Sequence, residues 1–203
     1  MENNQINTEH ARILANRAHS LYSKINFDLI RCLNETEPES GKTVFKPWDQ
    51  RLDFTKKVES DCDEELIFHV PFSGQVKLKS ILVWGGPGNS APSKLKVFIN
   101  REDVDFDNAS ELIPTQEFDL ISGQNEPVEY FTRISKFNNV RNINLYFSSN
   151  FDEDPPTTVY YIGFCGEWMQ LNNKIVTAAY ESKPNLADHK LKLKNEFISR
   201  TIQ

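Results

Sequence analysis

Asn142-Ile143-Asn144-Leu145-Tyr146-Phe147 alternates apolar and polar side chains. A period of two puts Ile143, Leu145 and Phe147 on one face of a strand and turns Asn144 and Tyr146 the other way. Working outward, further runs rich in β-branched and aromatic residues occupy 66–70, 76–84, 95–100, 117–121, 128–132, 159–164 and 174–180. Ser73-Gly74, Gly85-Gly86-Pro87-Gly88-Asn89, Ser122-Gly123-Gln124-Asn125 and Asp154-Pro155-Pro156 separate them as turns. Strands without intervening helices predict an all-β protein, an antiparallel β-sandwich, most simply a jelly roll. Ahead of the strands, with Thr8 as N-cap, Ile13, Leu14, Ala18, Leu21 and Ile25 recur at three- and four-residue spacing. That spacing predicts a short N-terminal amphipathic helix, with a helical turn around 28–33.

The chain has 203 residues, 38% of them hydrophobic and 26% charged. This suffices for one domain with a core that needs no metal or disulfide, and it is too apolar for wholesale disorder. The longest apolar stretch, 81–84, is far short of the ~20 residues a membrane-spanning helix needs. Met1-Glu2-Asn3-Asn4-Gln5 offers neither a charged n-region nor an apolar h-region, so no secretory signal is expected and the sequons at Asn34 and Asn108 should stay unmodified. Cys32, Cys62 and Cys165 are odd in number and far apart, which fits reduced thiols. A formal charge of −6 lacks the positive field that nucleic acid demands. Only the last stretch, 183–203, is basic, with Lys183, Lys190, Lys192, Lys194 and Arg200 against Asp188 and Glu196. It either packs back on the sheet or is offered to a partner.

No catalytic constellation assembles from the spacing. His10, His19, His69 and His189 are scattered and there is no Cys-x-x-Cys, so no zinc site is expected. The acidic run Glu59, Asp61, Asp63, Glu64, Glu65 suggests hard-cation ligands but lacks the EF-hand glycine and closing Glu. A solvated acidic loop that partners read by charge is the expectation. Gly163-Phe164-Cys165-Gly166 fails the nucleophile-elbow pattern, and Gly85-Gly86-Pro87-Gly88 is followed by a strand rather than a phosphate-binding helix. Phe45-Lys46-Pro47-Trp48 and Arg51-Leu52-Asp53-Phe54 read as a wrapped loop, since Pro47 removes a backbone donor. Its aromatics plug an end of the sandwich, or Trp48 and Arg51 are exposed anchors; sequence leaves both open.

Several strings resemble one family: Leu21-Tyr22-Ser23-Lys24-Ile25, Cys32-Leu33-Asn34-Glu35, Phe45-Lys46-Pro47-Trp48, the 59–66 segment, Val76-Lys77-Leu78-Lys79, Tyr161-Ile162-Gly163 with Gly166-Glu167-Trp168, and Ala187-Asp188-His189-Lys190. Together they look like the PITH domain, the C-terminal module of thioredoxin-like proteins that associate with proteasomes. The resemblance covers approximately residues 20–193 and is greatest to members lacking the thioredoxin module. It implies a galactose-binding-like jelly roll and a cytoplasmic and nuclear protein that acts through protein contacts. Thioredoxin's cysteine pair is missing, so the redox activity of full-length relatives is not carried over.

The expected organisation is therefore a polar segment and helix over 1–19, a β-sandwich domain over 20–193 and a tail over 194–203. The expected function is a non-catalytic protein-interaction module on the proteasome regulatory particle, monomeric, without cofactor or metal, and without nucleic-acid or membrane partners. Candidate contact residues are Phe45, Lys46, Trp48 and Arg51, the acidic Glu59, Asp61, Asp63 and Glu64, and the corner Asp188, His189 and Lys190. The alternative is a small-ligand or glycan-binding jelly roll using Trp48, Arg51 and the 85–92 loop.

Overall fold

The computed structural model describes residues 18–152 and 156–170. The alternating 142–147 stretch lies inside β7 (Val140–Asn150), between β3 (Leu66–Trp84) and β4 (Pro92–Ile99). With β1 (Arg31–Leu33) and β5 (Gln116–Asp119) these strands make a sheet in the order β1-β3-β7-β4-β5. The later part of β3 pairs instead with β6 (Val128–Phe131) on one side and β9 (Tyr161–Met169) on the other. β2 (Val58–Glu59) and β8 (Thr158–Val159) form a separate short ladder. Every pairing is antiparallel, as the expected all-β sandwich requires.

The expected strands 66–70 and 76–84 are one strand of 19 residues, and Ser73-Gly74 is not a turn. On β7, Asn142 faces Pro71 and Val140 faces Val76, so the intervening β3 residues bulge out of the ladder where Pro71 has no N–H to give. Gly74 is there for space. A Cβ on it would lie 2.5 Å from the Trp168 indole nitrogen.

Ile143, Leu145 and Phe147 point into the core as expected, against Phe68, Val70, Ile81, Val83, Leu95, Val97, Ile162 and Phe164. Phe68 meets Phe45 and Phe147 edge-on at 6.0 and 5.8 Å, the geometry that ring quadrupoles favour. The reverse face of β7 is also closed. Residues 101–112 fold over it, burying Tyr146 with Ile67, Phe98, Val104 and Ala109. Two of the side chains there are paired: Asn144 Nδ2 donates to Arg101 O, its Oδ1 accepts from His69 Nδ1 at 2.7 Å, and the Tyr146 hydroxyl donates to Glu65.

The helix expected over 8–25 lies partly outside the described residues, and over 19–25 the chain is not α-helical. Leu21 N–H donates to Phe164 O and Gly166 N–H to His19 O, while Ile25 bridges Phe72; only Tyr22–Lys24 forms a 3₁₀ turn. Leu21 and Ile25 are apolar because this segment runs along β9 and then against β3 at Phe72, which needs the same inward residues a helix would supply. The turn expected around 28–33 is a 3₁₀ turn at Phe27–Leu29, and β1 follows it. The 174–180 strand, the basic tail and Asp154-Pro155 fall outside the described residues.

Candidate functional site

The connection out of β1 is built around Asn34 and Glu35. Asn34 has φ 68°, a left-handed conformation that Asn tolerates better than most residues. Its Nδ2 donates to Asp63 Oδ1 at 2.6 Å and Glu65 O at 2.7 Å, and its Oδ1 accepts from Cys62 N–H at 3.1 Å. The Glu35 carboxylate accepts from Glu39 N–H and Gly41 N–H, both at 2.7 Å, and from the Ser40 hydroxyl. These bonds hold the 36–43 turn beside residues 55–59. Between them lies an open polar cleft of about 440 Å³, its walls including Thr36, Glu39, Thr43, Lys56, Lys57 and Glu59.

The 45–57 segment wraps the adjoining end of the sandwich. Phe45 is 3% exposed and stacks on Phe164 in the core. Lys46 is 4% exposed, and its ammonium donates to Asp53 O at 2.6 Å and Lys56 O at 2.8 Å. Burial disfavours its charge and lowers its pKa. Trp48, 9% exposed, packs with Leu82, Trp84 and Tyr161 beneath the Arg51 guanidinium, 4.6 Å from its ring. Phe45, Lys46 and Trp48, expected as contact residues, are thus interior and cannot meet a partner directly. Lys46 is inside because its ammonium satisfies two loop carbonyls, those of Asp53 and Lys56. The large apolar side chains the loop shows to solvent are Leu52, 44% exposed, and Phe54, 53% exposed. Phe54 rests its ring on Trp84 at 4.5 Å and Tyr160 at 5.5 Å. Neither was among the expected contact residues; the only signal in the sequence was two large apolar side chains beside Asp53 in a loop.

The acidic segment is dispersed rather than convergent. Glu59 pairs with Lys57, Asp61 accepts from the Cys62 thiol, Asp63 is drawn in by Asn34 and by Glu65 N–H, and Glu64 O accepts from Thr157. Among the described residues no three metal-type side chains converge on a point. Asp188, His189 and Lys190 lie outside the described residues. Cys165 is buried in β9, and burial together with the Glu129 carboxylate pushes its thiol up to about 12, a poor nucleophile. The 85–89 loop is a turn as expected, with Gly86 at φ +81° facing the Tyr160 ring.

The sequence and the fold were each compared with known proteins. The PITH domain profile matches residues 12–184. "PITH domain-containing protein CG6153" of Drosophila melanogaster is 46% identical over 186 residues, covering 91% of this chain and 87% of that protein. "PITH domain-containing protein 1" of Homo sapiens is 43% identical over 175 residues, covering 86% and 82%. Among solved structures, CBM32-3 from a family 31 glycoside hydrolase of Clostridium perfringens superposes with a TM-score of 0.55 at 11% identity, over 75% of this chain and 98% of that one. The CBM32-1 and CBM32-2 domains of Clostridium perfringens ZmpB, solved in complex with GalNAc, give 0.54 at 12% identity, over 76% and 38%. Those likenesses establish the sandwich; the profile and the relatives establish the kinship, and the chain belongs to the PITH domain family.

Proposed function

We propose that this chain is a non-catalytic protein-interaction module that docks through its 48–57 loop, with the proteasome regulatory particle as partner in cytoplasm and nucleus. The observation that carries the reading is the display of Leu52 and Phe54 on a loop locked from below by the Lys46 ammonium and by Arg51 over Trp48. Apolar side chains held out by a rigid support lose little entropy when a partner covers them. Lys56 and Lys57 beside them suit a partner with carboxylates around an apolar centre. The proteasome as partner is supported by the PITH kinship alone.

The test is a pull-down with the tagged full chain from cell lysate at low salt. The parent should enrich proteasome subunits, and Leu52→Ser with Phe54→Ser should reduce that enrichment roughly ten-fold while the fold persists. A parent that enriches no proteasome subunit removes the partner; a double variant that enriches as well as the parent removes the loop. Glycan binding at Trp48 gains no support, because the accessible side of the indole is taken by Arg51. Titration with GalNAc should leave the tryptophan fluorescence unchanged.

A further inference from the structure

The seam between β5 and β6 is closed by side chains instead of main chain. Register and the bond from Thr132 N–H to Lys79 O turn even-numbered residues of β6 toward β3, so Phe131 and Arg133 direct their backbone groups outward. There the Gln116 carboxamide meets them: Nε2 donates to Phe131 O at 3.2 Å and Oε1 accepts from Arg133 N–H at 2.8 Å. A C=O of one residue and the N–H two residues on are the pair that one residue of a parallel neighbouring strand engages with its own N–H and C=O, and the carboxamide, its donor and acceptor turned the same way, takes both places. Elsewhere along the seam the Tyr130 hydroxyl accepts from Ile121 N–H and the Lys136 ammonium donates to Thr115 O. Among the described residues no backbone-to-backbone bond joins β5 to β6.

A glutamine side chain plus its hydrogen bond reaches across roughly two strand spacings of ~4.8 Å, the room one extended chain takes between two edges. The Phe118 and Tyr130 rings, 5.9 Å apart, floor the seam. Apolar residues beside it are exposed: Phe131 at 68%, Ile121, whose N–H meets the Tyr130 hydroxyl, and Ile134. The Lys136 ammonium puts positive charge at the Thr115 end, with Arg133 exposed three residues before it, while Glu117 alternates to the outer face opposite Lys96.

We propose that this seam receives an extended segment of a partner polypeptide as an added strand. The segment displaces the Gln116 carboxamide, takes its two bonds at Phe131 O and Arg133 N–H, and lays apolar side chains on Phe131 and Ile134. A carboxylate at one end meets Arg133 and Lys136. This surface uses residues distinct from the 48–57 loop, so its failure leaves that reading untouched.

The experiment is a selection of phage-displayed random decapeptides on the full chain, followed by affinity measurement with the enriched synthetic peptides. Enriched peptides should carry alternating apolar residues with a terminal acid. Gln116→Ala, which removes the competitor, should tighten binding about ten-fold, and Gln116→Glu, whose carboxylate has no N–H to give Phe131 O, should shift it in the same direction by less. On the parent protein, N-methylation of every second peptide residue should abolish binding in one phase and spare it in the other, and amide exchange at Phe131 should slow. Four outcomes overturn the proposal: no enriched sequence, binding indifferent to N-methylation phase, exchange protection confined to 48–57, or dimerisation of Gln116→Ala without peptide. The last would assign the seam to a second copy.

Discussion

Asn34 combines a left-handed backbone with a three-way side-chain hub, and two substitutions separate these contributions. Replacement by alanine would lose the bonds to Asp63 Oδ1, Glu65 O and Cys62 N–H, and would also place a plain Cβ at φ 68°. At about 1 kcal/mol net per bond the hub is worth ~3 kcal/mol, and the left-handed conformation adds ~1 kcal/mol for a residue with no local compensation. Asn34→Ala should therefore cost ~4 kcal/mol. Asn34→Gly loses the same bonds but accepts the dihedral, so it should cost between ~3 and ~4 kcal/mol, its freer unfolded chain giving back part of the gain. Urea unfolding reads both as shifts in midpoint at constant m. Amide exchange at Cys62 and Glu65 should accelerate in both variants. A Gly variant less stable than the Ala variant, or losses below ~1 kcal/mol in both, would refute the reasoning that this hub supports the acidic segment.

Lys46→Met should cost ~2 kcal/mol in urea, two charge-assisted bonds less the relief of no longer burying an ammonium, and should speed exchange over 53–57; unchanged exchange would count against the clamp. Because burial lowers the Lys46 pKa, the unfolded chain binds that proton more tightly, and stability should rise as pH climbs toward the ordinary 10.5, a rise absent from the Met variant. Gly74→Ala should destabilise by about 1–3 kcal/mol, in the range of overpacking, since its methyl would collide with the Trp168 indole. Iodoacetamide at neutral pH should label the exposed Cys62 before the half-buried Cys32 and the buried Cys165, as peptide mapping would show; rapid loss of the Cys165 thiol would contradict its elevated pKa. Arg101 holds the Asp103 carboxyl down at about 2, so its contribution is present above the usual 3.8 and lost as pH falls toward 2; Asp103→Asn should flatten the acid limb of the stability profile there.

The period of two in Ile143, Leu145 and Phe147 was enough to read the sandwich, because strand alternation and core facing are the same physical fact. The burial of Asn144 and Tyr146 was not readable, since alternation cannot tell water from a distant loop folding over the reverse face. Leu21 and Ile25 misled for a related reason: a segment capping a sheet edge shows apolar spacings that also suit a helix. β1, β2 and β8 are two or three residues long and leave no periodic trace. At the candidate site, the aromatics of 45–48 were legible as important, but which of them faces inward depends on Lys46 finding carbonyl partners seven and ten residues away in the chain. Leu52 and Phe54 emerge only once those positions are known.

β3 limits how the chain can be divided. It threads both layers, holding β1 and β7 with its early residues and β6 and β9 with its later ones. A circular permutant opened inside 66–84 would sever both halves of the architecture at once, whereas one opened in the exposed 122–126 loop would leave all four partnerships intact. Fragments split at that loop should reassociate, and fragments split within β3 should not.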